Sequence, residues 1–150
     1  MVRAQKAFDD KGLKLTPLRR RVFREIAGSH RAVGAYEVLD KLAAHGERLA
    51  PISVYRALDA LLDAGIVHRF ERRNAFFACH GGHEVRRRQL VLACESCGLI
   101  AEVDGEKAFA AIDKTVDSAA FSAKGAVVEV WGLCSNCVAT QAQEPGDGTP

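Results

Sequence analysis

Between residues 1 and 65, apolar residues recur every three or four positions, which predicts a series of amphipathic helices. One short helix and three longer ones are expected, at about Ala4–Lys11, Pro17–Ala27, Ala35–His45 and Ile52–Ala64. Thr16 and Pro17 mark the start of the second helix, because a threonine hydroxyl can accept hydrogen bonds from unpaired N–H groups and proline fits the first turn. Gly28, Gly46 and Gly65 follow the three longer spans and are expected to end them.

Two short β-prone runs follow the last of these helices. Ile66–Phe70 and Ala75–Cys79 are joined by the polar residues 71–74, which predicts a hairpin. Three helices followed by a two-stranded hairpin are typical of a winged helix-turn-helix domain. The hairpin is then the wing, and the Ile52–Ala64 helix is the recognition helix.

Strand-like runs return after residue 88 and are interrupted by one helical stretch. Strands are expected at Leu90–Ala93, Leu99–Val103 and Ala126–Trp131, and a helix is expected at Glu106–Ala119. This pattern predicts a small C-terminal α/β domain, so the fold class is α+β. The expected parts are a winged helix-turn-helix domain at 1–80, a hinge at 81–88, an α/β dimerisation domain at 89–140 and a disordered tail at 141–150.

Charge is distributed unevenly along the 150 residues. Residues 1–90 contain 18 lysines and arginines against 10 acidic residues, whereas residues 91–150 contain 3 against 9. This asymmetry indicates that the first part binds a polyanion, although a chance excess of solvated charges is an alternative. The stretch Met1–Lys14 is polar, and no apolar run approaches the roughly 20 residues of a membrane helix. A cytoplasmic protein without a signal peptide is therefore expected.

Four of the five cysteines form two C-x-x-C pairs, Cys94 with Cys97 and Cys134 with Cys137. Each pair can direct two thiolates from a turn toward one centre, and two such turns supply the four soft ligands of a closed tetrahedral Zn²⁺ site. We therefore predict a structural zinc. Disulfides or a redox pair are the alternative, which a cytoplasmic setting disfavours. An enzyme is not indicated, because the sequence contains no phosphate-binding loop and no nucleophile with a paired base.

The fifth cysteine, Cys79, lies at the end of the predicted wing, near several other residues that bind metals. His68 lies on the partner strand, His80 and His83 follow, and Glu102 lies on a strand of the second domain. A thiolate, two imidazoles and a carboxylate make a competent zinc site. With ligands from both domains and the hinge, such a site suits a sensor. Alternatively, Cys79 is a small core residue and His68 a surface histidine.

The polar face of the predicted recognition helix carries the candidates for DNA contacts. Ser53, Tyr55 and Arg56 lie in its first turns, the part that enters a major groove, and an arginine there can bind guanine through two hydrogen bonds. Tyr36, near the start of the preceding helix, is a further candidate. Tyr55 could instead pack in the core. Basic residues that could hold phosphates are Lys14, Arg19, Arg20, Lys41, Arg72 and Arg73.

Several of these motifs together resemble the ferric uptake regulator family of bacterial metal sensors. They are Leu15–Arg19, Ile52–Leu58 with Leu62 and Gly65, the histidine-containing hinge before Cys94, Cys97 and Gly98, and Glu129–Cys134 with Cys137. Residues 5–138 contain them in order and at the spacing of the family. Within the family the chain is similar to the zinc uptake regulator branch at Tyr55–Asp59, Val67–His68 and Phe77–His80.

The resemblance implies a homodimeric repressor whose winged helix binds operator DNA and whose C-terminal domain dimerises and holds a structural zinc. Carried over by position, three regulatory zinc ligands are His68, Cys79 and Glu102. The branch's remaining histidine position holds Arg87 here, so His83 is assigned as the fourth ligand and His80 as its runner-up. The branch's DNA contacts correspond to Tyr36 and Arg56.

The sequence therefore predicts a zinc-responsive transcriptional repressor with two Zn²⁺ per protomer, one structural and one regulatory. With zinc bound, the dimer is expected to bind a palindromic operator and repress zinc-uptake genes; with zinc scarce, DNA affinity falls. An iron- or peroxide-responsive repressor of the same family is the first alternative. A zinc-ribbon interaction module without specific DNA binding is the second. No membrane and no small-molecule substrate are expected as partners.

Overall fold

A computed structural model of the chain describes residues 1–79 and 88–143. The chain divides into two compact units, Met1–Val85 and Arg86–Pro150. The first unit is mostly helical and the second is built on a mixed sheet, which confirms the α+β class predicted from the sequence. Among the described residues, no helix is both long and apolar enough to cross a membrane.

The first unit combines helices with a small sheet. Within residues 1–79 its elements are α1 (Val2–Asp10), α2 (Pro17–Ala27), β1 (Val33–Gly34), α3 (Ala35–Ala44), α4 (Pro51–Asp63), β2 (Val67–Phe70) and β3 (Ala75–Ala78). The expected helices and the hairpin are all present, within two residues of their expected limits. Thr16 caps α2, since its Oγ1 accepts a hydrogen bond from the N–H of Arg19 at 3.4 Å. Such a cap stabilises a helix by about 1 kcal/mol.

The helices of the first unit pack around one apolar core, because each presents an apolar stripe to the others. Its fully buried side chains include Phe8, Val22, Ile26, Val38, Val54, Leu58 and Leu61. Gly46 and Gly65 follow the ends of α3 and α4 with φ angles of 86° and 71°. This left-handed conformation carries little strain in glycine, so both helices end where the sequence predicts.

The wing is a three-stranded antiparallel sheet in the order β1-β3-β2. Val33 of β1 pairs with Phe76, and His68 of β2 pairs with Phe77 on the other side of β3. The sequence did not predict β1, because two residues carry no periodic pattern and their pairing partner lies far along the chain. A single 3-10 turn, Glu71–Arg73, joins β2 and β3.

The second unit is built around a central strand with one antiparallel and one parallel neighbour. Its described elements are β4 (Arg88–Cys94), β5 (Ile100–Val103), α5 (Glu106–Ser118), β6 (Ala126–Gly132) and α6 (Ser135–Gln143). Strand β4 pairs antiparallel with β5 and parallel with β6. A parallel pair requires a crossover, which α5 supplies. Phe109 of α5 is buried, and a Cβ added at Gly105 would lie 2.7 Å from its ring.

Two expectations about the ends of the second unit need correction. Arg88, assigned to the hinge, is the first residue of β4, and its guanidinium donates to both carboxylate oxygens of Asp113 at 2.5 and 2.6 Å. Residues 141–143, assigned to the tail, belong to α6, which was not predicted because its polar sequence shows no apolar stripe. The rest of the expected hinge and tail, 81–87 and 144–150, lies outside the described residues.

Candidate metal centre and nucleic-acid interface

The four paired cysteines meet at one end of the sheet in the second unit. Cys94 is the last residue of β4, and Cys134 lies just after β6; because these strands are parallel neighbours, with Cys94 opposite Gly132, their carboxyl ends meet. Cys97 comes from the turn after β4, and Cys137 from the first turn of α6. The four Sγ atoms all lie within 4.8 Å of one another.

Backbone groups hold this arrangement of thiols. The N–H of Gly98 donates to the carbonyl of Cys94 at 3.0 Å and closes the first turn, where Gly98 has a φ of 75°. The N–H of Cys134 donates to Cys94 Sγ at 3.4 Å and so links the two pairs. Cys94 is buried, whereas Cys97 is exposed.

The distances between the thiols fit zinc. A tetrahedron with Zn–S bonds of about 2.3 Å has edges of about 3.8 Å, and the Sγ atoms of Cys97 and Cys134 are 3.8 Å apart. Four sulfur donors fill the coordination sphere, so these residues could hold a structural metal and leave no open position for catalysis.

The thiols differ in acidity. Hydrogen bonds from the backbone N–H groups of Cys134 and Cys97 lower the pKa of the Cys94 thiol to about 6. The Ser96 side chain lowers the pKa of the Cys137 thiol. Cys134, desolvation and the remaining thiols raise it by more than that, so the pKa is about 11. Four neighbouring thiolates repel one another, and a divalent cation between them removes this repulsion.

His68 and Cys79 form a second pair of candidate ligands, in the wing of the first unit. His68 lies opposite Phe77, with ring centroids 5.6 Å apart. Cys79 is two residues beyond Phe77, and its N–H donates to the carbonyl of Ile66 at 3.0 Å. His68 and Cys79 are therefore diagonal neighbours on one face of the hairpin. Their ligand atoms lie within 4.8 Å of each other, and both side chains are half-buried.

Glu102 lies on β5 of the second unit, opposite Val91 of β4. Its carboxylate accepts a hydrogen bond from Gln89 Nε2 at 3.4 Å, and its side chain is half-buried. Gln89 was not predicted from the sequence, although residues 89 and 91 share one face of β4 by period two and residue 91 lies opposite Glu102. His80 and His83 lie outside the described residues 1–79 and 88–143.

Helix α4 presents an apolar face to the core and a polar face to the surface. Val54 and Leu58 are buried, whereas Arg56 is exposed and Ser53 is half-buried. Tyr55 is half-buried and packs against the core, so the alternative of core packing holds for part of its side chain. Tyr36, the second residue of α3, has 64% of its surface exposed, which is compatible with an intermolecular contact.

The basic residues proposed for phosphate contacts fall into two groups. Arg72 and Arg73 are exposed on the turn of the wing. Arg19 is held within the unit, because its Nη1 donates to the carbonyl of Lys14 at 2.5 Å and its guanidinium carbon lies 5.8 Å from the Phe8 ring centroid.

Comparison with known proteins agrees with these features. The zinc uptake regulation protein of Escherichia coli (strain K12) is 31% identical over 142 residues, which cover 95% of this chain and 83% of that protein. A solved structure of a zinc uptake regulator complexed with zinc and DNA has a TM-score of 0.87 at 31% identity and covers 94% of each chain. The holo form of XcZur has a TM-score of 0.80 at 36% identity, over 90% of this chain and 94% of that one.

A family model confirms the relationship. It matches residues 10–131, a span that includes helices α2 to α5, the wing and the first C-x-x-C pair. The family is described as the ferric uptake regulator family. Since the match covers most of the sequence, this chain belongs to the ferric uptake regulator family.

Proposed function

We propose that this chain is a zinc-responsive transcriptional repressor that binds operator DNA as a dimer when zinc-loaded and controls zinc-uptake genes. It is a regulator and not an enzyme, because the family and the relatives named above are regulators. The observation that carries the choice of metal is the approach of His68 and Cys79 on one face of the wing, within 4.8 Å. A thiolate beside an imidazole favours zinc over iron or manganese.

Two zinc ions per protomer follow from two separate donor sets. The structural ion is bound by Cys94, Cys97, Cys134 and Cys137. The regulatory ion is bound by His68, Cys79, Glu102 and His83, with His80 as the runner-up for the last position. Bound zinc supplies a positive centre that holds these side chains together. A ligand that binds one conformation more tightly shifts the population toward it, so zinc raises the fraction of DNA-competent protein.

DNA is contacted by the first unit. Arg56 reads a guanine in the major groove, while Tyr36, Ser53 and the accessible part of Tyr55 make neighbouring contacts. Phosphates are held by basic residues that include Arg19 and Arg72. Because a symmetric dimer presents two such surfaces, the operator is palindromic. The protein acts in the cytoplasm, where bacterial DNA is located.

Dimerisation is assigned to the second unit. Its described residues leave many large apolar side chains exposed, including Phe121 at 66%, Val127 at 59%, Val138 at 51% and Trp131 at 49%. Such a concentration of apolar surface in a small unit marks an interaction site. A second copy of the chain is the partner that the family resemblance implies.

The test is recovery of genomic DNA fragments by the purified reduced protein. Free zinc is buffered either high, or low enough to retain only the four-cysteine zinc, and the retained fragments are sequenced. We expect a few fragments that share a palindrome and are retained only at high zinc. The Cys79→Ser variant should retain none of them at either zinc level, whereas the matched variant His30→Ala, at an exposed histidine, should behave as the unaltered protein.

The other outcomes identify the competing functions. Retention that responds to iron or peroxide but not to zinc would establish the iron- or peroxide-responsive alternative. Absence of any enriched fragment, with one zinc per chain, would instead establish the interaction module. Either result overturns the proposed regulator.

A further inference from the structure

The first unit contains a cavity whose lining includes none of the proposed DNA contacts. It has a volume of about 590 Å³ and lies between α1, the carboxyl ends of α2 and α4, and the start of β2. A cavity of this size can accommodate a small organic molecule. Cys79 lines one of its walls.

The lining combines apolar walls with a predominantly cationic mouth. Phe23 and Ile66 supply apolar surface. The charged side chains that line the cavity are Arg3, Lys6, Asp10 and Lys11, three positive and one negative, and all four are exposed. A cleft with an excess of one charge raises the local concentration of ligands of the opposite charge. The cavity therefore suits a small anion with an organic body.

We propose that this cavity binds small anionic zinc chelators, namely thiolates or polycarboxylates of low molecular weight, and brings them to Cys79. The inference rests on the proposed function, in which Cys79 is a regulatory zinc ligand. A metal bound by Cys79 would pass to a donor atom of the chelator, and the Cys79 thiolate released in this way would gain a proton from water. Ions would enter by the reverse exchange, so the sensor would equilibrate with anionic zinc complexes and not only with the hydrated ion.

The charge selectivity of the cavity can be measured without a metal in the regulatory site. In the protein with zinc kept in the four-cysteine site, Cys79 is alkylated by iodoacetate, which is an anion, or by iodoacetamide, which is neutral. Both reagents form a thioether and release iodide, so the ratio of their rates reports the local charge and cancels differences in access. Modification of Cys79 is followed by mass spectrometry of its peptide.

The variant that tests the proposal is Lys6→Glu combined with Lys11→Glu, which reverses two of the three cations. We expect the iodoacetate-to-iodoacetamide rate ratio to fall roughly tenfold at low salt, and by less at high salt, where charges are screened. The matched control is Lys107→Glu combined with Lys124→Glu, two exposed lysines of the second unit, which changes net charge equally and should leave the ratio unaltered. Equal ratios in both variants would overturn the proposal.

A second measurement follows metal exchange directly. Cobalt placed in the regulatory site gives a thiolate-to-cobalt absorption band, and its loss is followed on addition of EDTA, a polycarboxylate. The removal rate should saturate with EDTA concentration and fall roughly tenfold in the Lys6→Glu, Lys11→Glu variant. A removal rate that does not saturate with EDTA and is the same in the variant overturns the chelator-binding inference but leaves the proposed function standing. If Cys79→Ser retains the band, Cys79 is not a ligand, and the regulatory site of the proposed function fails with it.

Discussion

The Sγ atoms of Cys97 and Cys134 lie 3.8 Å apart, although 37 positions separate the two residues in the sequence. The distance between the two sulfur atoms equals the edge of a zinc–thiolate tetrahedron, about 3.8 Å. The two thiols meet because β4 and β6 are parallel neighbours and end at the same edge of the sheet. Folding of the second unit and binding of a metal by these thiols would therefore be coupled.

Cys97→Ser should remove the structural zinc and unfold the second unit. Binding of a structural zinc contributes on the order of 10 kcal/mol to the free energy of folding, which is comparable with the whole stability of a small domain. We expect loss of the tightly bound zinc, loss of the dimer and loss of DNA binding, measured by metal analysis, size-exclusion chromatography and DNA retention. A Cys97→Ser protein that remains dimeric with one tightly bound zinc would contradict the assignment.

Cys79→Ser should leave the fold intact and remove the zinc response. Partners that only orient a ligand already change metal affinity by about 10- to 100-fold, so loss of a ligand should weaken regulatory zinc at least that much. The expected result is one zinc per chain, unchanged thermal unfolding and no zinc-dependent DNA retention. A normal zinc response in Cys79→Ser would place the regulatory site elsewhere.

Arg56→Ala and Arg72→Ala should affect DNA binding in different ways. Arg56→Ala should weaken the free energy of operator binding by about 1–3 kcal/mol and relax the preference at one base pair, because a base contact carries sequence information. Arg72→Ala should weaken binding to all DNA sequences alike and reduce the slope of log affinity against log salt concentration by about one. Affinities for the operator and for single-base variants, measured across a salt series, separate the two. Identical changes in both variants would argue against these roles.

Gly105→Ala should destabilise the second unit without touching the metal ligands. A Cβ at Gly105 would lie 2.7 Å from the Phe109 ring and 3.0 Å from Leu90 Cβ, and such overpacking costs about 1–3 kcal/mol. The measurement is denaturant unfolding of the zinc-saturated protein. Gly34→Ala is the control, since a Cβ there meets nothing within 4 Å. Equal stability of the two variants would show that α5 yields to the added methyl group.

The parts of the fold that the sequence predicted are those governed by local chemistry. The limits of α2 follow from Thr16, Pro17 and an apolar stripe, and all of these act within one helix. The thiols of each C-x-x-C pair are likewise close in sequence. That both pairs would form one centre could be predicted, because a closed zinc site needs four ligands.

The parts that escaped prediction depend on contacts distant in sequence. Strand β1 has two residues and exists only through pairing with β3. Helix α6 lacks an apolar stripe, and its first turn carries Cys137, a member of the thiol cluster. The half-buried position of Tyr55 depends on how α4 meets the core, which its own sequence pattern does not determine.

The pairing of Cys94 with Gly132 makes closure of the thiol cluster depend on the register of β6 against β4. A slip of β6 by one residue against β4 would move Cys134 by about 3.3 Å and turn the strand's side chains to the opposite face. The second thiol pair would then miss the first, and the coordination sphere could not close. A zinc site made of these four thiolates would therefore close only when β4 and β6 pair in the observed register.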